Sequence, residues 1–244
     1  MQGTHLGKGC ADEPIYRPGA DVSCRRAGIG AELLQQVVFI GGCATGLLIT
    51  DKASLESVRY TDDVDIVTHV IGYSQWVQFQ EQLSERGFVV SPDDNVICRM
   101  RLGELKVDFM PDDASILGFS NRWYADVIEH CKEVALSDGT AIRLITPGYF
   151  IATKLGAYIG RGDQDPLASH DIEDLLNVVD GREALQQEIE QAEPVLKTYI
   201  GQQISLLLKH RDFEYAVQAT ARNNPEREVL IFRRLEALAA LNKG

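Results

Sequence analysis

The chain has 244 residues, 45% of them hydrophobic, and sets 24 basic against 36 acidic side chains for a formal net charge of −12. That content suits one large or two modest packed domains, and the acidic balance argues against a broad basic footprint for duplex nucleic acid while leaving a small ligand or a locally held RNA end open. No run approaches the roughly 18 apolar residues of a membrane helix, and the first 30 residues lack the apolar stretch of a signal peptide, so the expectation is a cytoplasmic protein with no membrane partner.

Residues 1–30 are rich in glycine, carry two prolines and show no period, which predicts a flexible N-terminal tail. Within it Arg25 and Arg26 read either as a polyanion contact or as a solvated pair. The five cysteines, Cys10, Cys24, Cys43, Cys98 and Cys131, are odd in number and form no C-x-x-C pair, so five reduced thiols are expected. His130 and Cys131 are adjacent and would point apart, which favours packing over a shared zinc ion.

From residue 31 helical and strand patterns alternate. "AELLQQ" reads as a short helix, "VVFIGG" as a buried strand ending in two glycines, and "CATGLLIT" as the opening of a further helix. "VDIVTHV" is strand-like, and "YSQWVQFQEQLSERG" is a helix with Trp76, Phe79 and Leu83 on one side and Gly87 at its stop. "NVICRMRL" and "ELKVDFM" flank Gly103 as a hairpin, and "EVALSDGTAIRLIT" repeats the arrangement around Asp138 and Gly139. Beyond Thr146 apolar residues recur at helical spacing to the end of the chain. Thr146-Pro147, Ser169 and Asn224-Pro225 mark three helix starts, the second with Ile172, Leu175, Leu176 and Val179 as its buried stripe. The expected class is α+β: a mixed-sheet core over 31–146, followed by a helical C-terminal domain over 147–244.

Chemistry gathers in "RYTDDVDIV", residues 59–67. On a strand Asp63 and Asp65 share a face about 6.5 Å apart along the backbone, with Val64 and Ile66 turned the other way. At ~5 Å and an effective dielectric near 20 their repulsion is of order 3 kcal/mol, and a divalent cation would reverse its sign. The bland alternative is a solvated turn in which Asp62, Asp63 and Asp65 face water. Asp108 in "ELKVDFMP" lies between apolar Val107 and Phe109 on a later strand, and would complete a three-acid, two-metal arrangement. "FIGGCATGLL", residues 39–48, runs a strand through Gly41 and Gly42 into a helix, which either presents backbone N–H groups to a phosphate or is simply a tight turn. No G-K-[ST] follows, so it is not a P-loop.

Taken together, G-G, then D-V-D about twenty positions on, then a single Asp on a later strand resembles the catalytic core of the polymerase β-like nucleotidyltransferase superfamily. "TPGYFIATKLGAYIGRGDQDPLASHDIEDLLNVVDG" is similar to a stretch of AbiEii-type nucleotidyltransferases, the toxins of type IV toxin-antitoxin systems; the likeness spans roughly 37–181. The resemblance implies that Gly41 and Gly42 hold a triphosphate and that Asp63, Asp65 and Asp108 bind metal, the last also helping to activate the acceptor hydroxyl. It implies further that Lys154 binds phosphate, and that Asp171 or Asp174 is the acid of the last motif. Cys43 stands where the family has Ser or Thr, with Thr45 as a substitute hydroxyl, and Ser169-His170 stand where the toxins carry an arginine, with Arg161 as a substitute. Arg59 and Thr61 bind phosphate or cap the strand; His170 reads as a surface or cap residue.

These readings converge on transfer of a nucleoside monophosphate from an NTP to a hydroxyl with release of pyrophosphate, served by two Mg²⁺ ions. The acceptor is a tRNA 3′ end, a protein hydroxyl or a small molecule, and the resemblance allows an antitoxin partner. Lys209-His210-Arg211 and Arg233-Arg234 guide an RNA end or are solvated helix faces. The rival from another class is a catalytically silent module on the same scaffold that binds a nucleotide or a partner protein.

Overall fold

The computed structural model describes residues 28–56, 58–59, 61–161 and 165–243. Most of the expected tail, with Cys10, Cys24, Arg25 and Arg26, lies outside the described residues. Its last part does not behave as a tail, because Ile29 is buried in the core.

The N-terminal half is built from α1 (Ala31–Leu34), β1 (Val37–Ile40), α2 (Gly41–Leu48), α3 (Lys52–Leu55), β2 (Asp63–Thr68) and α4 (Gly72–Glu85). These are followed by β3 (Arg99–Leu102), β4 (Leu105–Pro111), α5 (Ala114–Leu117), α6 (Tyr124–His130), β5 (Lys132–Ala135) and β6 (Ala141–Leu144). The strands form one six-stranded sheet in the order β3-β4-β2-β1-β6-β5. It is mixed: β2 runs antiparallel to β1 and parallel to β4, whereas β1 and β6 are parallel. All four residues of β1 are buried, as an unbroken Val-Val-Phe-Ile run requires of an interior strand.

The remaining chain is helical: α7 (Pro147–Arg161), α8 (His170–Gly181), α9 (Leu185–Glu190), α10 (Pro194–Leu207), α11 (Phe213–Ala221) and α12 (Pro225–Ala240), closed by a 3₁₀ turn at Leu241–Lys243. Ser169 Oγ accepts the Ile172 N–H, and Asn224 Oδ1 accepts those of Glu226 and Arg227, so two of the three expected helix starts carry a side-chain N-cap. α8 is the hub. It packs against α2 and α3 of the first half and against α7, α11 and α12 of the second. That explains why ten of its residues are buried, Asp171, Asp174, Asn177 and Asp180 among them. One hydrophobic cluster runs from the sheet through these helices.

The link between the halves is polar as well as apolar. The Gly181 carbonyl accepts the N–H groups of Thr50 and Asp51, both at 2.9 Å. Arg227 pairs with Asp180 at 2.6 Å and with Asp51 at 3.3 Å, and also donates to Ser54 Oγ. Arg234, one of the basic residues read as a guide for RNA or a solvated face, instead donates to the Val179 and Asp180 carbonyls and so caps the end of α8. Among the described residues no helix is long and apolar enough to cross a membrane. Among the described residues Cys98 and Cys131 are free thiols, and the Cys43 thiol donates to the Ile40 carbonyl.

Candidate active site

The expected acids come together on one face of the sheet. Val64 and Ile66 are fully buried, so Asp63 and Asp65 project from the opposite face of β2. Parallel pairing sets Asp65 directly beside Asp108 on β4. On the other side of Asp108 the antiparallel partner is Arg99 of β3. Its guanidinium donates from Nε to Asp108 Oδ1 at 2.7 Å and from Nη2 to Asp108 Oδ2 at 2.8 Å, and Nη2 also reaches Asp63 Oδ2 at 3.2 Å.

Sequence reasoning missed Arg99, although the signal was present. A two-residue turn at Gly103-Glu104, with Gly103 at φ +60°, pairs Leu102 with Leu105, and counting outward brings Arg99 opposite Asp108. Those paired hydrogen bonds hold the Arg99 guanidinium well above the ordinary arginine range, against the opposing effect of its burial.

The glycine turn serves Asp65. Gly41 has φ +66°, a left-handed conformation, and a β-carbon there would lie 1.9 Å from Asp65 Oδ2. The Gly42 N–H, at the start of α2, donates to the Asp65 carboxylate. A carboxyl group of the protein itself therefore already occupies this helix N-terminus. Burial pushes the Asp65 carboxyl up to about 7; Lys154 opposes the rise, Asp63 and Asp108 add to it, and the Gly42 N–H opposes it. Thr45, the expected substitute hydroxyl, is fully buried, and its Oγ1 finds no hydrogen-bond partner among the described residues. It lies beneath the turn rather than beside an open phosphate site.

A second cluster joins the helical half to this turn. Lys154 Nζ on α7 is 2.6 Å from Asp174 Oδ2 and 3.3 Å from Asp171 Oδ1, both on α8. Burial alone would lower the Lys154 pKa, but Asp174, Asp171 and Asp65 outweigh it and hold the ammonium above its ordinary value. Arg59 Nη2 reaches Asp174 Oδ2 at 3.3 Å, and its Nε lies 3.5 Å from Glu173. A β-carbon on Gly42 would meet Thr61 at 2.8 Å, Arg59 at 3.2 Å and Asp174 at 3.4 Å, so the two clusters are contiguous. Arg161 pairs with Asp171 at 2.8 Å, so an arginine from the end of α7 does meet this aspartate. His170 is exposed and faces Glu173 at 3.2 Å.

The sequence-derived residues thus divide into an acid group, Asp63, Asp65 and Asp108 with Arg99, and a mixed group, Lys154, Asp171 and Asp174 with Arg59 and Arg161. Lys154 is committed to two buried carboxylates. Arg59 and Arg161, with side chains 29% and 66% exposed, are the cations that face outward.

Hard carboxylate oxygens on neighbouring strands suit Mg²⁺ in their chemistry. As they stand, however, no three His, Cys, Asp or Glu side chains among the described residues are grouped closely enough to hold a metal ion. The guanidinium of Arg99 bonds two of the three acids. Scanned against models of known protein families and compared with curated protein sequences, the chain matches none.

Proposed function

We propose that this protein is a Mg²⁺-dependent nucleotidyltransferase that moves a nucleoside monophosphate from an NTP to a hydroxyl acceptor and releases pyrophosphate. The observation that carries the reading is the pairing of Asp65 with Asp108 across two parallel strands, with Asp63 on the same face and the Gly41-Gly42 turn packed against Asp65. Carboxylates so placed repel one another, and a strand has no structural need for them. When bound, Mg²⁺ would neutralise charge on the triphosphate and acidify the acceptor hydroxyl, and Asp63, Asp65 and Asp108 are the residues that would hold it. Two ions are expected once the triphosphate adds its own oxygens.

The chain's own residues supply the rest. The new bond joins the acceptor oxygen to the α-phosphorus, the bond to the β-phosphate oxygen breaks, and the acceptor's proton is left for a nearby base. Asp108, beside Asp65 on β4, is the acid that the resemblance assigns to that role. Arg59 and Arg161, the outward-facing cations of the mixed group, would meet the β- and γ-phosphates, while Lys154 holds Asp171 and Asp174 behind them. The acceptor class stays with the resemblance: a tRNA 3′ end, a protein hydroxyl or a small alcohol, in a setting where an antitoxin protein would be the partner.

One observation favours a second reading. Arg99 and Lys154 already pair the acids, so the same residues fit a catalytically silent module whose ion pairs are structural. Calorimetry of ATP and GTP with and without Mg²⁺ separates the two. Binding that requires Mg²⁺ and is lost in Asp63→Ala supports the transferase, whereas binding indifferent to both removes it. Labelled NTPs incubated with total RNA and with cell lysate then identify the acceptor.

A further inference from the structure

Among the described residues Arg99 is the one cation hydrogen-bonded to both Asp63 and Asp108. Its side chain is 15% exposed, and both Asp108 oxygens are engaged by its fork in short charge-assisted hydrogen bonds. Asp63, Asp65 and Asp108 set against Arg99 and Lys106, the register partner of Asp63 on β4, leave this face formally at −1, so it still attracts positive charge. A dication brings two charges to within about 2.1 Å of carboxylate oxygen, a closer approach than a guanidinium makes. The neighbouring acid Asp94 has both oxygens engaged by Arg101 at 2.7 Å on the same edge of the sheet, and its charge is still felt at Arg99.

We propose that Arg99 is an internal stand-in for the metal: in the free chain it holds the acids in register, and a divalent cation enters by displacing its guanidinium from Asp63 and Asp108. The inference rests on the transferase reading above and adds to it a positioning residue that sets metal affinity. No covalent bond changes; a dication replaces a monovalent side-chain cation, and Arg99, on the edge strand β3, turns outward into solvent. Apparent metal affinity is then reduced by the fraction of molecules in which Arg99 is engaged.

The test is uptake of Mn²⁺ alone by the full chain, without nucleotide, read from the spin-resonance signal of the free ion. In Arg99→Met, Mn²⁺ is expected to bind about tenfold more tightly than in the unsubstituted protein. Arg99→Lys, which keeps the charge without the fork, should fall between. Asp65→Asn weakens binding in either background and thereby locates the ion. Variants that unfold cooperatively and bind Mn²⁺ no more tightly overturn the inference; should Arg99→Met fail to fold, Arg99→Lys decides alone. If the unsubstituted chain binds Mn²⁺ and the Arg99 variants match it, only the Arg99 role falls. If none of them takes up Mn²⁺ at millimolar concentration, the metal-dependent transferase falls with it.

Discussion

A β-carbon at position 41 has nowhere to go: the carboxylate of Asp65 fills the space, and the backbone is left-handed. Gly41→Ala is expected to cost about 3 kcal/mol, from left-handed strain plus displacement of Asp65, measured by urea unfolding. Gly118→Ala is the control, because φ is +80° there with open space around it, and it should cost only about 1 kcal/mol. Asp65 itself makes stability pH-dependent. Its folded carboxyl titrates near 7 and its unfolded one near 3.8, so between those values the native state holds the extra proton. Its contribution is fully present below the unfolded pKa and is lost as pH rises through about 7. In chelator-containing buffer the melting temperature should fall by on the order of 5 °C between pH 5 and pH 8, and Asp65→Asn should flatten that slope. At this scale the acids were legible because alternation along a strand sorts side chains by face. Arg99 is less legible, because the cation that balances these acids lies on a different strand and meets them only through the register of the β3–β4 hairpin.

Between elements, the Lys154 ammonium ties α7 to α8. Asp174 is fully buried and Asp171 nearly so, so removing the lysine strands two carboxylates out of water. Lys154→Met should cost about 3 kcal/mol, and adding Asp174→Asn should recover part of the loss, as measured by denaturant titration of both variants. Long elements could be read from their period: α4 with Trp76, Phe79 and Leu83 buried, and α8 with its apolar stripe. The four-residue helices α1, α3 and α5 are too short to show a full period, and only α1 was anticipated. "NVICRMRL" promised a longer strand than forms. Only Arg99–Leu102 pairs, Ile97 stays exposed, and Asp94 turns back to bind Arg101.

Across the whole molecule, the change of composition at Thr146 marked a real change of architecture, from mixed sheet to helices. It did not disclose how the two are joined, since the Gly181 carbonyl and Arg227 act on residues about 130 and 176 positions earlier in the chain. Separations of that size leave no mark on local pattern. Arg227→Ala, which abandons the buried Asp180, should cost about 2 kcal/mol and lower the melting temperature of the entire protein in one transition. A fragment ending at residue 146 should fail to give a cooperative melt, because α2 and α3 lose the helix they pack on.

The amides of Thr50 and Asp51 depend on a single carbonyl, that of Gly181. During synthesis those two groups emerge into water long before their acceptor has been translated, at about 5–20 residues per second, so the segment after α2 spends several seconds outside the ribosome with nothing to close it. The connection from α2 into α3 therefore takes its final hydrogen bonds only after translation has passed α8, whereas the strands that bring Asp65 and Asp108 together have all been made by then.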